Sequence, residues 1–169
     1  MALTVCGLDK NTHDRQAFDC GEPALTEFLH ARAAKHQALR VSRTFVLSDN
    51  IEPRKILGFY SLCNCQIGRD DILPEEARKL PQYPLPAILL ARLGVDQNAQ
   101  GKGYGELLLM DVIKRCALVS QQTGVYAVVV DAKHDHAKRF YERFGFTQIK
   151  TQALTLYLPL GTAIQALQV

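Results

Sequence analysis

The sequence predicts an α/β or α+β domain with at least one parallel crossover. Three observations carry this reading. In the second half of the chain, strand-like and helix-like segments alternate over 87–95, 106–121, 125–130, 134–144 and 147–158. In the first half, one amphipathic helix precedes two runs rich in β-branched and aromatic residues. Finally, 169 residues that are 47% hydrophobic and 22% charged match one soluble domain, residues 1–169. Such a domain buries its core without disulfides or a structural metal.

The first helix is predicted over 22–39, where Leu25, Phe28, Leu29, Ala33 and Leu39 recur roughly at helical spacing. Strands follow over 44–47 and 56–67, with 48–54 as the turn between them. The segment 70–86 carries Pro74, Pro81, Pro84 and Pro86. It reads as a connection with a single helical turn at 75–80. Residues 87–95 are apolar enough for a buried strand, interrupted by Arg92. After a glycine-rich turn comes the helix 106–121. Its Leu109, Val112, Ile113, Cys116 and Ala117 occupy the i, i+3, i+4, i+7 and i+8 positions of one face. A strand over 125–130, a short helix over 134–144 and a final strand over 147–158, ended by Pro159 and Gly161, complete the order.

Composition excludes several classes. The five cysteines form no C-x-x-C pair, and Cys63 and Cys65 share one strand face, a core-packing pattern. The histidines show no metal spacing; His134-Asp135-His136 would put its rings on different helix faces, so no metal is expected. Residues 1–10 lack a basic stretch followed by an apolar run, and the longest apolar stretches fall short of a bilayer span. A cytoplasmic protein with no membrane partner is expected. The net charge of +3 permits a nucleic acid or a phosphorylated ligand without demanding either.

The turn Gln100-Gly101-Lys102-Gly103-Tyr104-Gly105 joins a core strand to a well-formed helix. Backbone N–H groups and the positive end of the helix dipole in such a turn hold a diphosphate. Glycine is needed because side chains would block the phosphate and because some positions want a positive φ. A Rossmann fingerprint would require glycine where Glu106 stands, and a Walker A loop would require Lys-Ser/Thr after Gly105. What remains is Gln-x-x-Gly-x-Gly. A bare turn without a ligand is the alternative, and the position between strand and helix favours the ligand.

With these residues in view, the chain resembles the GNAT (GCN5-related) N-acetyltransferases. Arg92-Leu93-Gly94-Val95-Asp96 through Gln100–Gly105 is similar to the family's coenzyme A motif. Ala137-Lys138-Arg139-Phe140-Tyr141-Glu142-Arg143-Phe144-Gly145-Phe146 is similar to its A-x-x-x-Y-x-x-x-G-F signature. Two ordered motifs are more specific than either alone. The resemblance implies a GNAT fold, a mixed central sheet flanked by helices in which the strand before the glycine turn splays from its parallel neighbour 125–130 and the pantetheine arm enters the gap. Leu93, Gly94 and Val95 would then offer main-chain contacts to acetyl-coenzyme A, and Gln100, Gly101, Lys102, Gly103, Tyr104 and Gly105 would hold its diphosphate. Where many members carry Asn, three residues before Ala137, this chain has His134.

A narrower resemblance covers nearly the whole chain. Phe18-x-Cys20-Gly21, Leu25-x-x-Phe28-Leu29, Arg43-Thr44-Phe45-Val46, Leu90-Ala91-Arg92-Leu93 and the ending Leu156-x-Leu158-Pro159 are similar to the GNAT toxins of bacterial toxin–antitoxin pairs. Those toxins acetylate the α-amino group of aminoacyl-tRNA and halt translation. The resemblance implies a ribbon-helix-helix antitoxin as partner and operator DNA bound only through the antitoxin complex; a homodimer is compatible with it.

The implied chemistry is attack of a neutral amine on a thioester, which requires positioning, oxyanion stabilisation and protonation of the departing thiolate. The resemblance places Tyr141 near the sulfur, and a phenol of reference pKa about 10 stays protonated at neutral pH and can act as general acid. The residues alone leave a second reading, Tyr141 as a core aromatic beside Phe140, Phe144 and Phe146. No base stands out; Glu106, Glu142 and His134 are near only in sequence. An α-amino group of pKa about 8 needs one less than a lysine of about 10.4. Arg32, Lys35, Arg40, Arg92, Lys138 and Arg139 are candidates for tRNA phosphates. The alternative is a solvated helix face and local compensation of the cofactor's charge. A metabolic or protein N-acetyltransferase acting on a small amine or lysine, and a non-catalytic coenzyme A-binding module, remain the competing functions.

Overall fold

The structure, a computed structural model, describes residues 1–167. The strands are β1 (Leu3–Gly7), β2 (Arg43–Asp49), β3 (Gly58–Ile67), β4 (Leu85–Val95), β5 (Ala127–Asp131), β6 (Thr147–Gln148) and β7 (Thr155–Pro159). They form one mixed sheet in the order β1-β2-β3-β4-β5-β7-β6. By packing, the chain divides into two compact units. Met1–Cys63 with Ala91–Val112 makes the first, and Asn64–Leu90 with the chain from Ile113 onward makes the second.

In the first unit, the expected helix at 22–39 forms in three pieces: α1 (Pro23–Glu27), a wide π-helical turn at Phe28–Arg32, and α2 (Ala33–Ala38). Pro23 occupies the first turn, where its missing N–H costs nothing. Leu25, Phe28, Leu29 and Ala33 are buried against Phe18, Val46, Ile56 and Phe59. Leu39 lies past the helix end and is 63% exposed, so it does not belong to that face. β1, which the sequence does not announce, pairs antiparallel with β2 from Leu3↔Asp49 to Gly7↔Phe45. As an edge strand it alternates half-buried with exposed residues and so lacks a strong apolar pattern. The helix after the glycine turn, α4 (Tyr104–Val119), buries Leu108, Leu109 and Val112 along its part in this unit. It approaches β3 closely: a Cβ on Gly58 would lie 2.9 Å from Leu108 Cδ1 and 3.1 Å from the Gly94 carbonyl.

In the second unit, β4 and β5 form the parallel ladder expected of a crossover, from Ala87↔Ala127 to Leu90↔Val130. The single strand expected over 147–158 is instead a hairpin, β6 pairing antiparallel with β7 and β7 with β5. Its turn, 149–154, contains no Gly, Pro, Asn or Asp, so it gave no sequence signal. Side chains build it: Thr155 Oγ1 donates to Gln152 Oε1 at 2.8 Å, and Thr151 Oγ1 donates to Asp71 at 2.8 Å. The last strand ends at Pro159, as expected. A further helix, α6 (Leu160–Leu167), follows and buries Leu160 and Ala163, because a proline just before a helix does not interrupt its hydrogen bonds.

The proline-rich connection carries α3 (Pro74–Ala77). The Glu76 carboxylate accepts hydrogen bonds from Tyr126 Oη at 2.6 Å and Tyr157 Oη at 3.0 Å, and Leu73 N donates to Tyr157 Oη at 3.1 Å. Burial pushes the Tyr157 phenol up to about 12, and the neighbouring carboxylate adds to the shift. Among the described residues, no two cysteines are joined by a disulfide. Among the described residues, no helix is long and apolar enough to cross a membrane.

Candidate active site

The glycine turn is shaped by side-chain bonds that the sequence does not display. Asp96, 5% exposed, caps the short 3₁₀ turn Gln97–Ala99 by accepting from Asn98 N at 3.0 Å, while its other oxygen accepts from Asp19 N at 3.1 Å. Gln100 Nε2 donates to the carbonyls of Cys20 (3.1 Å) and Val95 (3.0 Å), tying the turn to the end of β4. Gly101 and Gly103 both adopt left-handed backbone, φ +80° and +82°, and a Cβ on either would meet nothing within 4 Å. Glycine is therefore demanded here by backbone conformation, and the space in front of the turn is open. Leu107 N donates to the Gly103 carbonyl, the first bond of α4. The amides before it have no intrahelical acceptor and face the helix N-terminus. Such an open cradle fits a diphosphate. Exposed Lys102 carries a cation on the same turn, and exposed Glu106 stands in the first turn of α4.

Gly94 answers a different demand. A Cβ there would lie 3.3 Å from the Phe59 ring and 3.4 Å from Cys20 Sγ, so its small size serves packing. On β4, Leu93 and Val95 are half-buried. The ladder with β5 ends at Leu90↔Val130, although β4 itself continues to Val95.

Tyr141 lies on α5 (Asp135–Arg143), 7% exposed, with Phe140 and Phe146 against its ring at centroid distances of 5.1 and 5.5 Å. The local reason for the A-x-x-x-Y-x-x-x-G-F pattern is a helix cap. Gly145 N donates to the Glu142 carbonyl and Phe146 N to the Tyr141 carbonyl, while Gly145 takes φ +94°. That is a Schellman cap with glycine at its left-handed position and an apolar contact between Phe146 and Tyr141. The helix start is capped too: His134 Nδ1 accepts from Ala137 N at 3.1 Å. A histidine acceptor thus stands at the N-cap, a position where Asn, Asp, Ser and Thr are the usual acceptors. Because His134 lies outside the helix, it does not sit on a helix face as expected. Its ring stacks on His136 at 6.1 Å and 28°.

The basic candidates divide between the two units. Arg32 pairs with Glu27 at 3.1 Å, both well exposed, a pair of little energetic weight. Lys35 is exposed, and Arg40 caps the end of α2 at φ +64°, an unusual conformation for a side chain of its size. In the second unit, Lys138 donates to Gln148 and Arg139 is exposed. Arg92 is half-buried over the Phe28 ring. Among the described residues, no cluster of three or more His, Cys, Asp or Glu is placed to hold a metal ion.

Comparison with known proteins agrees with this geometry. The Acetyltransferase (GNAT) domain family matches residues 40–148. A tRNA-acetylating toxin of Mycobacterium tuberculosis is 37% identical over 150 residues, spanning 89% of this chain and 88% of its own. Among solved structures, AtaT complexed with acetyl-methionyl-tRNAfMet has a TM-score of 0.92 at 28% identity, covering 99% of this chain and 100% of that one. A tyrosine-to-phenylalanine mutant of AtaT, bound to the C-terminus of the antitoxin AtaR and acetyl-CoA, has a TM-score of 0.84 at 25% identity over 99% of both chains. With its mixed seven-stranded sheet, parallel crossover and glycine turn at a helix start, the chain belongs to the GNAT acetyltransferases.

Proposed function

We propose that this chain is a toxin that transfers acetyl from acetyl-coenzyme A to the α-amino group of aminoacyl-tRNA, so that translation stops, and that residues 1–169 work as one acetyltransferase domain in the cytoplasm. The observation that carries the reading is the 37% identity, over 89% of the chain, to a tRNA-acetylating toxin. Acetyl-coenzyme A supplies an acetyl group activated as a thioester. Gly101 and Gly103, with the first amides of α4, would bind its diphosphate, with Lys102 adding charge and Gln100 holding the turn in shape. The main chain of Leu93, Gly94 and Val95, where β4 runs on past its ladder with β5, would hold the pantetheine arm. Tyr141 would orient toward the departing sulfur and give it a proton from its phenol. The Schellman cap and the Phe146 contact fix the position of that side chain on α5. An α-amino group of pKa about 8 is partly neutral at pH 7, so the reaction runs without a dedicated base.

The partner is a small ribbon-helix-helix antitoxin whose C-terminal segment covers the enzyme, and operator DNA is bound only by the pair. Acidic side chains on that segment would compete for the charges that tRNA phosphates use. Incubating the purified chain with acetyl-coenzyme A and charged tRNA, followed by mass analysis of the tRNA-bound amino acids, tests the assignment. N-acetylated aminoacyl ester is expected. Acetylation of polyamines or lysine peptides while aminoacyl-tRNA stays untouched would overturn it in favour of a metabolic or protein acetyltransferase.

A further inference from the structure

Arg92 projects from β4 in the first unit with its guanidinium over the Phe28 ring, 3.7 Å from the centroid. The ring beneath it is buried and packed on both neighbours. Phe28 is 2% exposed, stacks on Phe59 at 6.5 Å and 19°, and takes an edge contact from His36 at 5.3 Å. Phe28 also opens the π-helical turn, a local widening that recurs at functional sites in helices. Burial pulls the Arg92 pKa below its usual value; a contribution from Cys63 opposes this and the like charge of Arg32 adds to it. Among the described residues, Arg92 makes no ion pair and no hydrogen bond; the ring is its partner. A partly desolvated cation of this kind is costly unless something completes it.

The missing group has a definable chemistry. A guanidinium is planar and presents its N–H donors as a fork that matches the two oxygens of a phosphodiester. A polyamine or lysine acceptor is itself a cation, and the Arg92 and Arg32 charges would repel it. The cofactor's diphosphate already has a cradle at Gly101 and Gly103, beyond the end of β4. We infer that Arg92 is a positioning residue that takes a backbone phosphate at the 3′ end of the RNA acceptor through a paired contact, setting how far the aminoacyl ester reaches toward the thioester. This rests on the RNA-acetylating reading above.

The test compares two acceptors, aminoacyl-tRNA and a 3′-aminoacylated adenosine that carries no phosphate, in wild type, Arg92→Lys and Arg92→Gln. Loss of a paired, charge-assisted contact should lower kcat/KM on tRNA by about 10- to 100-fold. That loss should exceed the loss on the phosphate-free acceptor at least about tenfold, with lysine failing to restore it. The salt dependence of the tRNA reaction should become shallower by about one phosphate's worth. Unfolding temperatures identify any variant that has lost its fold, and the second variant then carries the comparison. Equal losses on both acceptors, or an undiminished tRNA reaction, would overturn the inference while leaving the RNA reading intact. A raised KM for acetyl-coenzyme A would move the phosphate to the cofactor and overturn it as well. A wild-type enzyme that ignores aminoacyl-tRNA would remove the reading and the inference together.

Discussion

Gly103 offers a way to separate a glycine needed for its backbone from one needed for its ligand. At φ +82°, an alanine would cost about 1–2 kcal/mol in left-handed strain alone. Asparagine visits that region readily, so Gly103→Asn should cost under about 1 kcal/mol. Nothing lies within 4 Å of the new Cβ, so no packing penalty is added. For a chain of this size the unfolding midpoint should then move by only about 2–4 °C. The same side chain projects into the open cradle, where a diphosphate oxygen would have to sit. Acetyl-coenzyme A affinity should fall more than about tenfold, equivalent to about 1.4 kcal/mol. Scanning calorimetry and titration calorimetry on the same sample read both quantities. Gly58→Ala supplies the contrast: its Cβ would press on Leu108 at 2.9 Å, an overpacking cost of about 1–3 kcal/mol. A folded Gly103→Asn variant that binds acetyl-coenzyme A as tightly as wild type would refute the assignment of the diphosphate to this turn.

Tyr141→Phe keeps the ring between Phe140 and Phe146 and the backbone cap intact, so the unfolding midpoint should change little while turnover falls by about 10²–10⁴-fold. Turnover that survives in the folded variant would make Tyr141 a core aromatic. His13 should impose an acid limit on stability. It is 6% exposed, its Nδ1 accepts from Asp9 N at 3.0 Å, and burial holds its pKa below 6.5. The unfolded chain therefore takes up a proton that the folded chain refuses. Stability is full above pH about 6.5 and falls as the pH drops through that value toward the folded pKa. His13→Gln should flatten this part of the melting profile between about pH 7.5 and 5, and parallel profiles for both proteins would show that the histidine has no such role.

Much of the fold was legible because its signals are local. The crossover from β4 through α4 to β5 shows as apolar runs and a helical face, and those patterns survive whatever packs on them. The Tyr141, Gly145 and Phe146 spacing reads directly as a helix end because a Schellman cap involves one turn of chain and a glycine that alone tolerates φ +94°. The glycine turn was legible for the same reason. β1 and the β6–β7 hairpin were not. An edge strand needs no continuous apolar face, and a turn closed by Gln152, Thr155 and a Thr151–Asp71 bond has no residue type that marks it.

Residue patterns alone are enough for the run of elements from the first helix through β5 and α5, and for the two motifs that identify an acetyl-coenzyme A chemistry. How the individual side chains are used follows from folding. It made Gln100 a strut between the turn, Cys20 and Val95. It turned His134 into a helix cap, and it laid Arg92 on Phe28. Each of these contacts depends on distance and direction. For the Gln100 bond to Cys20 and the Arg92 stack, the partners are also far apart along the chain. Spacing along one strand or helix encodes which face a residue occupies, while the group it meets there is set by elements that only folding brings alongside.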